Sequence, residues 1–103
     1  MTDLTAGRIR HTVAFMLAHP AGSPAEADFL ATAGALSAIP GVEAFQILRE
    51  TSPKNAYRFG ISMEFAGREA YTAYNEHPDH VRFVNDRWLP EVSDFLEVDY
   101  ETL

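Results

Sequence analysis

Tyr57-Arg58-Phe59-Gly60-Ile61-Ser62-Met63-Glu64-Phe65-Ala66 is the stretch whose reading decides the fold. Tyr57, Phe59, Ile61, Met63 and Phe65 take every second position, with Arg58, Gly60, Ser62 and Glu64 between them. A strand sends successive side chains to opposite faces, so this spacing predicts a strand with one face built for a core. The other face is small and polar.

Working outward, Val42 to Glu50 also alternates, with Phe45 and Ile47 set against Ala44, Gln46 and Leu48. The segment TSPKNA (51–56) joins the two runs with turn-forming residues, which predicts an antiparallel hairpin. Arg8 to Ala18 repeats the pattern: Ile9, His11, Val13, Phe15 and Leu17 share a face, and Thr12, Ala14, Met16 and Ala18 share the other. Between these strands Ser23 fits an N-cap, Pro24 the first helical position and Glu26 a capping box. That helix should run to about Ile39 on a stripe of Phe29, Leu30, Ala33 and Leu36, and stop at Pro40 and Gly41. Downstream, Gly67 to Asn75 reads as helix, and Pro78 opens a second helical run to about Trp88. Proline fits the start of a helix and not its interior, so two short helices should meet at an angle there. Pro90 closes the run, and Phe95 to Glu101 is the last strand.

The element order β-α-β-β-α-β predicts an α+β, ferredoxin-like domain: a four-stranded antiparallel sheet with helices on one face. Thr12, Ala14, Met16, Gly60 and Ser62 would then lie on the uncovered face. These residues are too small and apolar for a fully wetted surface. A second copy should cover them, making a homodimeric α/β barrel. Residues 1–7 carry no period and read as a loose N-terminal tail, leaving 8–103 as a single domain.

Composition narrows the function classes. The net charge is −7, and the eight Lys and Arg residues are scattered. Phosphate backbones and anionic membranes need clustered cations, so neither nucleic acid nor a membrane is an expected partner. No cysteine is present, which removes disulfides, thiolate metal sites and cysteine nucleophiles. There is no signal-peptide core, and no apolar run nears the roughly 20 residues a membrane span requires. A cytoplasmic location is therefore expected. No glycine-rich phosphate loop is present around Gly34 or Gly41, and His77 with His80, split by Pro78, is not a zinc pattern. Neither a cofactor nor a metal is expected.

Several residues together carry a family likeness. They are Arg10-His11 in the first strand, Ile39-Pro40-Gly41-Val42 after the first helix, and Ala73-Tyr74-Asn75-Glu76-His77-Pro78-Asp79-His80 with Phe83. Val98-Asp99-Tyr100 closes the set. On these the chain resembles the Dabb family of stress-responsive dimeric α/β barrels, from about residue 8 to 101. The resemblance implies a dimer whose sheets face each other. Most members have no assigned reaction, but polyketide cyclases of the olivetolic acid cyclase type belong to this group and need no cofactor. Their catalytic tyrosine and histidine fall on Tyr74 and His80, and a pocket histidine of the first strand falls on His11. A further pocket histidine of the third strand falls on Phe59, where this chain departs from the pattern of that substrate and reaction.

Read as chemistry, His80 is the first candidate. In the first turn after Pro78 the helix field keeps imidazole neutral, as a general base requires. Tyr74 would donate to a substrate oxygen and His11 would assist, pointing from its strand toward the helices. The plainer alternatives stand beside these. His77 and His80 could cap and pack the helix junction, and His11 could be a buried residue satisfied by a carbonyl, Asp99 or Tyr100. Phe29, Phe59, Phe83, Trp88 and His77 are candidates for a substrate-binding wall, and the four aromatics are equally the material of a small core. Two outcomes follow. One is a cofactor-independent lyase, cyclase or isomerase acting on a small aromatic or ketone substrate, with a cofactor-free monooxygenase of the same fold as a variant. The other is a non-catalytic stress-related or structural homodimer. An open cavity at Tyr74 and His80 marks the enzyme, and a space filled by Phe29, Phe59 and Phe83 marks the alternative.

Overall fold

The computed structural model describes residues 4–103. Of the expected tail, residues 1–3 lie outside the described residues, while the Arg8 amide donates to the Thr5 carbonyl at 3.1 Å and closes a turn. The elements are β1 (Ile9–Leu17), α1 (Pro24–Gly34), β2 (Glu43–Arg49), β3 (Phe59–Phe65), α2 (Arg68–Glu76), α3 (Pro78–Phe83), α4 (Leu89–Glu91) and β4 (Val92–Tyr100). The chain is α+β with the ferredoxin-like arrangement. Its sheet is antiparallel throughout, in the order β2-β3-β1-β4.

Alternation in the sequence becomes alternation in burial. Ile9, His11, Val13, Phe15 and Leu17 of β1 are buried under the helices, as are Phe59, Ile61, Met63 and Phe65 of β3. The core they form with Phe29, Ala33, Leu36, Tyr71, Tyr74 and Phe83 lies wholly between sheet and helices. Arg87 ties the outer layer together, its guanidinium donating to Asp28 at 2.8 Å and Thr32 at 3.0 Å on α1. Among the described residues, no helix is long and apolar enough to cross a membrane.

The boundaries depart from expectation in four places. After Gly34 the first helix tightens into a 3-10 turn, Ala35–Ala38, before Gly41 (φ 90°) reverses the chain. β2 is broken by a bulge where Ala44 has φ 50°, so its register shifts between Glu43 and Gln46. β3 starts at Phe59, leaving Tyr57 in the connection. Pro90 does not end the helical run. Val84–Trp88 widens into a π-helical turn, with the Leu89 amide donating to the Val84 carbonyl, and Pro90 follows it inside the continuing turn α4. Consequently β4 begins at Val92, ahead of the expected Phe95.

Candidate functional site

The junction of α2 and α3 places the first candidate residues. His77 leaves α2 in extended conformation, and its Nδ1 accepts the Asp79 amide at 3.1 Å as the cap of α3. That is the capping role, and it keeps His77 away from the cavity described next. His80 turns inward, its Nδ1–H donating to the Asn75 carbonyl at 3.2 Å. Its ring lies against Tyr74, centroids 4.4 Å apart. Nε2 is thereby left as the nitrogen with a free lone pair. Burial is the main cause that lowers the His80 pKa below its ordinary 6.5, with the nearby His11 adding to it. Desolvation, more than the helix field, keeps this imidazole neutral.

Beside it, between sheet and helices, lies a cavity of about 210 Å³. Its polar wall is His11, Tyr74, Asn75, His80 and Glu97. Its apolar wall includes Ile61, Met63, Phe83, Trp88 and Phe95. The π-helical turn brings Trp88 to this wall, a local irregularity often found at functional sites. Tyr74 is only 2% exposed, and burial followed by the charge of Glu97 raises its pKa, so its hydroxyl stays protonated.

His11 points toward the helices, as its strand face requires. Its Nδ1–H donates to Asp99 Oδ1 at 2.6 Å, and the Tyr71 hydroxyl donates to Asp99 Oδ2 at 2.7 Å. Tyr71 Oη is also 2.9 Å from His11 Nδ1. Asp99 is thus the partner expected of a buried histidine, and the ring it satisfies also lines the cavity. His11, Glu97 and Asp99 bring one donor atom each within 4.8 Å of one another. Both Asp99 oxygens are engaged by His11 and Tyr71, so the cluster is a hydrogen-bonded brace.

Of the expected substrate wall, Phe83 and Trp88 reach the cavity. Phe29 and Phe59 do not, because they pack on Phe15 at centroid distances of 6.0 and 5.7 Å in the sheet-helix core. Sequence reasoning missed Tyr71, Asn75 and Glu97. The period-2 row Phe95, Glu97, Asp99 on the last strand was the one signal that could have placed Glu97 opposite Val13 and Asp99 opposite His11. Nothing local marks Tyr71 as the third member of that group.

Comparison with known proteins completes the description. Residues 9–102 match the family model described as "Stress responsive A/B Barrel Domain". A Dabb family protein with a ferredoxin-like fold from Mesorhizobium loti is 59% identical, with TM-score 0.93 over 94% of this chain and 98% of that one. A dimeric ferredoxin-like protein of unknown function from Thermobifida fusca is 20% identical, with TM-score 0.76 over 97% and 95%. A hydroxynitrile lyase from Passiflora edulis is 13% identical, with TM-score 0.83 over 96% of both chains. No curated protein matches the chain.

Proposed function

The chain belongs to the stress-responsive A/B barrel (Dabb) family, and on that premise we propose that it is a cofactor-independent enzyme that moves a proton on a small, neutral carbonyl compound, as a lyase, cyclase or isomerase does. One observation carries the reading: an open, mostly apolar cavity of about 210 Å³ on which two histidines and a tyrosine converge. Phe29 and Phe59 pack elsewhere in the core, and Phe83 lines the cavity without filling it. A lyase from Passiflora edulis on the same fold is compatible with this reading.

In the proposed reaction, His80 Nε2 takes a proton from the carbon next to the carbonyl. Its lowered pKa keeps it unprotonated and able to do so near neutrality. Negative charge then develops on the carbonyl oxygen, which accepts a hydrogen bond from the neutral Tyr74 hydroxyl. The proton returns from His80 to carbon or to the departing group. His11, its ring oriented by Asp99, is the second imidazole on the wall and assists at the substrate. Glu97 is the acidic group on the wall and, among the described residues, no Lys or Arg lines it, so carboxylate and phosphate substrates are disfavoured. The cysteine-free, acidic chain accords with a cytoplasmic setting.

The test is deuterium exchange from solvent into a panel of small aromatic and aliphatic ketones, followed by NMR. Exchange reports proton abstraction whatever product follows. Wild-type protein should accelerate it, and His80→Ala should lower the rate by roughly 10²–10⁴-fold with an unchanged melting temperature. No acceleration by wild type, or full activity in His80→Ala, would refute the proposal and favour the non-catalytic homodimer.

We also propose that the protein works as a homodimer through its uncovered sheet face. Leu48, Gly60, Ala14 and Leu96 form one cross-strand row there, and Gln46, Ser62, Thr12 and Val98 the next. Leu48 and Leu96 are 46% and 53% exposed in the single chain. A continuous face of this kind is what a second copy would bury. The Thermobifida fusca protein of this fold is described as dimeric.

A further inference from the structure

A second depression, a groove of about 460 Å³, runs on the outer side of the helices. Its floor is Ala35, Leu36, Ile39 and Phe83, and its rim includes Asp79 and Arg82, which pair with each other at 3.2 Å. Leu36 and Phe83 also line the inner cavity. The two spaces are therefore back to back, with these two side chains as the wall between them. Both residues are buried, Leu36 6% and Phe83 8% exposed, and the Phe83 ring packs 5.6 Å from that of Phe29.

We propose that Leu36 and Phe83 are the specificity-determining residues of this site. They set how far the ligand reaches on this side by closing the cavity against a groove that could otherwise take an apolar tail. The proposal rests on the reading of the cavity as a site for small carbonyl compounds. A reactive head at Tyr74 and His80 leaves the rest of the ligand facing this partition. The groove floor beyond it is apolar, and among the described residues Leu36 and Phe83 are the ones that line both spaces and stand between a longer alkyl chain and that floor. Shortening either one joins the two volumes, and because the rim is charged, the extension accepts a tail along its floor and not a second polar head.

The probe is a homologous series of phenyl alkyl ketones from acetophenone to decanophenone, with binding measured by saturation-transfer NMR and calorimetry. For wild type, affinity should rise with chain length and then collapse at a sharp cut-off. Phe83→Ala and Leu36→Ala should each move the cut-off by at least three carbons. Phe83→Leu serves if the alanine variant does not fold. Ile61→Ala, which enlarges only the inner cavity, should move the cut-off by one carbon or less. Adding Ala35→Trp to Phe83→Ala fills the groove and should restore the wild-type cut-off. Binding with a cut-off that stays put in the wall variants, moves equally in Ile61→Ala, or ignores Ala35→Trp overturns the partition and leaves the cavity reading intact. Failure of every ketone to bind any variant overturns both.

Discussion

At the scale of single residues, the site is built from side chains whose protonation is set by their surroundings. His80 and His11 each donate through Nδ1, one to a backbone carbonyl and one to a carboxylate, so the same tautomer serves two different ends. Burial lowers the His80 pKa, with a definite sign for pH behaviour. The proposed base would be active when unprotonated. On the proposed reading, the acid limb of the exchange rate in the free protein should therefore have its midpoint below 6.5, with a plateau at neutral pH. The same shift bears on stability. Below 6.5 the unfolded chain binds a proton at this histidine that the folded chain resists, so folding weakens as pH falls toward the lower folded value. His80→Gln should lack that component, flattening the melting temperature against pH between 6.5 and that lower value. An acid limb at or above 6.5 would show that His80 is not the base. His80 and Tyr74 were picked out by the family likeness, with Pro78 placing His80 in the first turn of its helix. Tyr71 was not, since only packing of α2 on the sheet brings it to Asp99.

At the scale of elements, local chemistry starts and stops the helices as the sequence implied. Ser23 accepts the Glu26 amide at 3.2 Å, and the Glu26 carboxylate turns back to accept the amide of Gly22 at 3.0 Å. Ser23→Ala should cost about 1 kcal/mol of folding free energy, and Ser23→Gly only a fraction of that, both read from urea denaturation with an unchanged slope. Equal costs for the two would mean that the side-chain cap is not what holds this end. The π-helical turn and the early start of β4 were not legible. Pro90 looked like a terminator, but its effect depends on where the helix register places it, and that register is set by packing of Phe83 and Trp88 on the aromatic core.

At the scale of the whole molecule, a chain of 103 residues with helices on one side of its sheet buries one face only. Light scattering should return twice the monomer mass. Ala14→Glu, placing a charge at the centre of the row between Gly60 and Leu96, should return the monomer mass and lower the melting temperature. A wild-type protein that is monomeric at high concentration would refute the dimer. The sequence alone determined the strands, the helices, their order and hence the fold, because hydrophobic period, caps and prolines act over a few residues. It also marked His11, Tyr74 and His80. Only the tertiary structure decided that Phe29 and Phe59 are core while Phe83 and Trp88 face a cavity. It alone joined Tyr71 to Asp99 and set Leu36 against Phe83 as a wall. Residues far apart in the chain share a site only after sheet and helices have packed, and the space left between them is a difference between large packed volumes that no local pattern encodes.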